Sequence, residues 1–235
     1  MTLTPNRPLS WALCPKCQGR GRIRQNIRKK VKLSYQAALL QFEQQGGTVP
    51  ERPKAHLTVC ASCRGTGVQA AAHPPVADTE RYPKVAIIGG GIGGVALAVA
   101  CLHRGIPFTL YERDRDFAAR SQGYGLTLQQ ACKAIEGLGL FTLEHGVVST
   151  RHVMHSTDGT VLGEWGVRNW QHSDATKAPK RTNVHIARQS LRLALLEQLA
   201  AHPHLHKALQ WDHQLVNLQE TPAGVELSFV VEGET

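Results

Sequence analysis

A short apolar run, Val85-Ala86-Ile87-Ile88, opens without a spacer into Gly89-Gly90-Gly91-Ile92-Gly93-Gly94, and this junction restricts the chain more than any other feature. A continuous apolar run bounded by glycine predicts a buried parallel strand. In the spacing Gly-x-Gly-x-x-Gly, Gly89 permits the tight turn and Gly91 lets backbone approach a pyrophosphate. Gly94 lets the following helix pack closely on the strand. That helix then directs its N-terminus, with its free N–H groups, at the phosphates.

The glycine spacing is weak evidence alone, and its surroundings decide it. Val95 to Leu102 is rich in small residues, as a helix pressed onto a sheet requires, and Gly105 and Pro107 end it. A second strand, Phe108-Thr109-Leu110-Tyr111, delivers Glu112 18 residues after Gly94. An acid there accepts hydrogen bonds from a ribose diol and repels the extra phosphate of NADP, so FAD or NAD is expected. The fold class is α/β, built on a Rossmann-type βαβ unit. Farther along, Arg151 to Leu162 places apolar-rich runs around Asp158-Gly159, and Leu215 to Val231 surrounds Thr221-Pro222-Ala223-Gly224. Both read as hairpins.

Charge divides the chain. Residues 1–83 hold 13 Lys/Arg against 4 Asp/Glu, whereas residues 84–235 hold 14 of each, so the whole net charge of +9 lies in the first segment. The expected organisation is a module over residues 1–75, a linker over 76–83 and a nucleotide-binding domain over 84–235. No apolar run is long enough to span a membrane and the N-terminus lacks a secretory layout, so a cytoplasmic protein is expected.

Cys14-Pro15-Lys16-Cys17-Gln18-Gly19-Arg20-Gly21 and Cys60-Ala61-Ser62-Cys63-Arg64-Gly65-Thr66-Gly67 are two copies of Cys-x-x-Cys-x-Gly-x-Gly. Two residues between thiolates let one turn aim both sulfurs at a single metal, and two such knuckles make a closed, structural four-sulfur site for Zn2+. The ligands are then Cys14, Cys17, Cys60 and Cys63; a redox-active Cys-x-x-Cys is the competing reading. Cys101 and Cys132 fall in helical segments and read as packing residues. His152, His155, His202, His204 and His206 lack the spacing of a metal site. Lys30 to Gln45, with Val31, Ala38, Leu39 and Phe42, predicts a helix between the knuckles. Eight basic residues and no acid lie within 16–32. They offer a weak nucleic-acid or protein contact, or simply a solvated face. Both cysteine motifs resemble the zinc repeats of DnaJ co-chaperones, with two repeats here instead of four.

The stretch Val85 to Asp114 resembles the start of the class A flavoprotein monooxygenases, the group containing phenol and salicylate hydroxylases. Two later segments are similar to that family as well: Arg120-Ser121-Gln122-Gly123-Tyr124-Gly125-Leu126-Thr127-Leu128 through Leu138-Gly139-Leu140, and Arg188-Gln189-Ser190-Leu191 with Leu195, Leu196 and Leu199. The resemblance implies a glutathione-reductase-like FAD-binding domain, here incomplete, with an antiparallel substrate sheet beginning over residues 146–184. It implies that Arg188 reaches the flavin cofactor near its pyrophosphate and ribityl chain, with Arg120 on a nearby loop. Arg113 joins Gly89, Gly91, Gly94 and Glu112 among the cofactor-binding residues. The implied activity is hydroxylation of an aromatic or other electron-rich small molecule, with NADH or NADPH as electron donor. The family's later Asp-Gly and Gly-Asp segments do not follow within these residues, so a truncated form is expected. The alternatives are another FAD- or NAD-dependent oxidoreductase, or a zinc-dependent nucleic-acid or protein-binding module carrying a degenerate nucleotide fold.

Overall fold

A computed structural model of the chain describes residues 10–119, 123–149, 151–165 and 183–231. The described chain divides into two compact units, one over Leu13–Gln69 and the other comprising the rest.

Strand β1 (Ser10–Leu13) leads into the smaller unit, followed by β2 (Arg22–Arg24), α1 (Lys29–Gln45), β3 (Leu57–Val59) and β4 (Val68–Ala71), which leads out. β1 pairs with β4, and β2 pairs antiparallel with β3, Ile23 lying opposite Thr58. One knuckle joins β1 to β2 and the other joins β3 to β4, so each strand of one copy pairs with a strand of the other. The helix expected between the copies is present as α1, yet none of its residues is buried. The buried cluster of this unit consists of the four cysteines, with Ile23 packed against them.

The larger unit runs β5 (Val85–Ile88), α2 (Ile92–Leu102), β6 (Phe108–Tyr111), β7 (Gly125–Leu128), α3 (Ala131–Glu136), β8 (Val147–Ser149), β9 (His152–His155) and β10 (Val161–Trp165). Then follow β11 (Asn183–Ala187), α4 (Arg188–Ala200), a 3-10 turn over Pro203–Ala208, β12 (Leu209–Gln210), β13 (Gln214–Thr221) and β14 (Gly224–Val230). β5, β6 and β12 form a parallel sheet with β6 in the centre, Ile87 opposite Leu110 and Leu110 opposite Leu209. Burial in that sheet corrects one expectation. Phe108, Thr109 and Leu110 of β6 are buried, but in β5 only Ile87 is, and Ile88 remains 45% exposed. Among the described residues β5 ends this sheet, and the apolar run that predicted it is only partly covered.

α2 packs on β5, β6 and α4. Its C-terminus closes with Ile106 N–H donating to Cys101 O (3.0 Å) and Gly105 N–H to Leu102 O (3.2 Å), a Schellman arrangement that explains why the glycine stands there. Val95, Ala98 and Val99 from α2, Leu110 from β6, and Leu191 and Leu195 from α4 form the centre of the apolar core. A second, antiparallel sheet has the order β7-β11-β8. Its Leu128 and Ile186 enter the same core. β9 and β10 make the hairpin expected around Asp158-Gly159, and β13 and β14 make the last one, with Thr221 opposite Gly224. The 166–182 part of the expected substrate sheet lies outside the described residues.

Candidate functional site

The glycine turn sits where the carboxyl end of β5 meets the N-terminus of α2. Gly89 has φ of +96°, a conformation that a β-carbon opposes, and its N–H donates to Tyr111 O at 2.7 Å. A β-carbon at Gly94 would run into the Gly89 carbonyl oxygen. α2 can therefore press against the turn only because position 94 lacks a side chain. A β-carbon at Gly91 would meet nothing within 4 Å, so this position faces open space. The tight turn at Gly89 and the close helix approach at Gly94 are thus both steric features of the chain itself.

Glu112 follows β6 directly and is 8% exposed. Its Oε2 accepts from Gly90 N–H at 2.6 Å and its Oε1 from Asp114 N–H at 3.0 Å. The carboxylate thus braces the turn and the loop after β6 while keeping acceptor positions on both oxygens. Gly90, which the sequence motif leaves as a variable position, is confined by it: a β-carbon there would lie 3.0 Å from Glu112 Oε2.

A cavity of about 440 Å³ opens at these strand ends, lined among others by Gly89, Gly91, Glu112, Arg113, Arg188 and Arg192. Parallel sheets present ligand crevices at such ends. Arg113 is exposed. Arg188 opens α4; its Nη1 donates to the Tyr124 hydroxyl at 2.7 Å and its Cζ lies 4.8 Å from the Tyr124 ring centre. The Arg188 Nε is buried and has no partner among the described residues. Arg120 lies outside the described residues. Arg192 was not singled out from sequence, although a residue one helical turn beyond Arg188 shares its face.

In the smaller unit the Cys14 and Cys60 sulfurs are 3.9 Å apart, those of Cys17 and Cys63 are 3.7 Å apart, and all four lie within 4.8 Å of one another. A tetrahedral zinc with Zn–S bonds of about 2.3 Å needs sulfurs about 3.8 Å apart. Disulfide bonding would require about 2.05 Å. The knuckles repeat each other: Gly21 N–H donates to Cys17 Sγ and Gly67 N–H to Cys63 Sγ, each at 3.3 Å. Such N–H donors stabilise thiolates. Burial raises the Cys14 thiol, but N–H groups of Cys17 and Lys16 and the neighbouring thiols outweigh it and bring it down to about 7. Burial and the surrounding thiols push Cys17 up to about 11.

Among the described residues no other cluster of histidine, cysteine and carboxylate groups has metal-binding geometry. His152 bonds the Ser149 hydroxyl at 2.9 Å and His155 the Gly159 carbonyl at 3.0 Å, while His202 is buried. Cys101 is buried, and both it and Cys132 belong to or pack against the apolar core. The basic residues Lys16, Arg20, Arg22, Arg24, Arg28, Lys29, Lys30 and Lys32 are all exposed. No helix among the described residues is long and apolar enough to cross a membrane.

No protein-family model matches the chain. It is 32% identical over 125 residues to a probable FAD-dependent monooxygenase of Arthroderma benhamiae, covering 51% of this chain and 28% of that protein. Over 44 residues it is 54% identical to the FAD-dependent monooxygenase azaH of Aspergillus niger, covering 19% of this chain and 10% of that one. Against 2,6-dihydroxypyridine-3-hydroxylase from Arthrobacter nicotinovorans, the structures superpose with a TM-score of 0.48 at 19% identity, covering 66% of this chain and 34% of the other. The chain thus spans less than a third of the length of the curated relatives it matches.

Proposed function

We propose that residues 84–235 are the dinucleotide-binding portion of an FAD-dependent monooxygenase and that residues 1–75 are a zinc-binding module. The carrying observation is the cavity at the ends of β5 and β6, into which Gly89, Gly91, Glu112 and Arg188 all open. The residues fit an FAD on chemical grounds. Glu112 retains acceptors for two ribose hydroxyls, the N-terminus of α2 offers N–H donors to a diphosphate, and Arg113 and Arg188 bring positive charge. Similarity to proteins named FAD-dependent monooxygenases supports FAD over NAD. Bound FAD, reduced by NADH or NADPH, would supply oxygen activation and hydroxyl transfer to an aromatic or other electron-rich small molecule. The chain's own part is to hold the nucleotide, fix its orientation and screen it from water.

The spacing and burial of the four sulfurs support zinc over redox exchange, because sulfurs of different Cys-x-x-Cys pairs approach to 3.7 and 3.9 Å, the separation a shared zinc would set. The exposed basic segment beside them is the candidate for a weak nucleic-acid or protein contact, read out as salt-sensitive binding. A cytoplasmic location accords with a zinc-thiolate site.

The test of the flavin reading is cofactor uptake. The chain refolded with excess FAD should retain a flavin absorbance band through gel filtration, and Glu112→Ala should lose it. A colourless wild-type protein with no heat of FAD binding refutes the reading.

A further inference from the structure

We infer that Arg192 is a positioning residue for the glycine turn, acting through one peptide plane to present the Gly91 N–H to a diphosphate. The inference rests on the nucleotide reading above.

Arg192 is an arginine in α4 with only 8% of its surface exposed. A buried guanidinium is rare unless its charge and donors are taken up. Here the Nε donates to Gly90 O at 2.7 Å across 102 residues of sequence, and Nη1 lies 3.4 Å from Phe117 O. The guanidinium carbon is 5.0 Å from the centre of the Phe117 ring and 5.6 Å from that of Trp211. Two aromatic faces and two carbonyls thus fix the plane of the fork, a site that only the planar, delocalised arginine head suits.

The Gly90 carbonyl and the Gly91 N–H belong to the same peptide group. In a trans peptide, C=O and N–H point in opposite directions, so holding the oxygen aims the hydrogen. No cis peptide occurs among the described residues. The Gly91 N–H therefore points away from Arg192, and among the described residues no hydrogen bond takes it up. Gly91 also caps α2, the helix end at which an anion is stabilised. On the preceding peptide, Glu112 holds the Gly90 N–H. One glycine with little conformational restraint of its own is thereby pinned from both sides, its N–H by an acid after β6 and its C=O by a base on α4. Without Arg192 the Gly90-Gly91 peptide is free to rotate, and the donor is presented only part of the time.

The test compares ADP with adenosine, using the full chain and calorimetry. Adenosine shares the base and ribose but lacks the diphosphate. Arg192→Met should weaken ADP about tenfold or more, the size expected for a charge-assisted hydrogen bond, and adenosine much less. Arg192→Lys keeps the charge but not the planar stack, and should fall between wild type and Arg192→Met. The lysine variant carries the comparison should the methionine variant fail to fold. Equal weakening of both ligands, or ADP binding as tight as wild type in both variants, overturns the role of Arg192. If wild-type protein binds neither ligand, the nucleotide reading is overturned and this inference with it.

Discussion

The two units are stabilised in different ways. Leu13–Gln69 buries four cysteines, with Ile23 packed on them, and Val68, and its long helix has no fully buried residue. Among the described residues the larger unit buries fifteen apolar residues in one continuous cluster. Apolar burial supplies the stability of the second, at roughly 1.5–3 kcal/mol per large side chain. The first has no comparable apolar core, and its four clustered sulfurs are the one group in it that a cross-link could join. A short chain segment with a small core depends on a cross-link or a metal in this way.

The sharpest way to break that contrast is to test the proposed metal. A strong chelator, or Cys60→Ser, should abolish hydrogen-exchange protection over Cys14–Gly21 and Cys60–Gly67, since structural zinc supplies about 10–16 kcal/mol of folding free energy in comparable peptides. Unchanged protection in metal-free protein would show that the unit folds on other terms. In the larger unit no single change should have so large an effect. Leu195→Ala, at a side chain 1% exposed, is expected to cost about 3–4 kcal/mol in urea unfolding; a loss below 1 kcal/mol would contradict the packed core.

The mildest of the three perturbations is acid. His103 is 2% exposed, with an Nδ1 that no described residue bonds, and burial first, then the positive Arg104 and His202, lower it to about 4. The unfolded chain takes up this proton near the ordinary value of about 6.5, the folded chain only near 4. Stability is therefore whole above about pH 6.5, falls as pH drops toward 4, and loses about 3 kcal/mol in that interval. His103→Leu should flatten this part of the pH profile, and an unchanged slope between pH 6.5 and 4 would contradict the assignment.

Local features of this fold are readable from sequence. The turn at Gly89, the strand ending at Tyr111, the two hairpins and the knuckles follow from patterns a few residues long, where steric demands act directly on the chain. Contacts between distant segments are not readable in that way. That β12 joins β6, that β11 lies between β7 and β8, and that Arg192 bonds Gly90 are facts about which surfaces meet. The partial exposure of β5 is of the same kind: its composition predicts a strand, and only the packing of distant segments shows how much of it is covered. At the candidate site, Gly89, Gly91, Gly94 and Glu112 are visible from spacing. Gly90 matters because of an acid 22 residues away, and no motif records that.

The two cysteine copies stand 46 residues apart and exchange strands with each other. Neither half is self-sufficient, for each brings only two of four thiols and leaves its strands unpaired. Separated from its twin, a half would be expected to seek a second identical half and rebuild the whole as a symmetric pair. Because the halves recognise each other directly, the connection between them is free to vary: doubling a flexible connector costs only about 0.6 kcal/mol in closure entropy. The segment bearing α1 is thus the part of this unit most open to replacement.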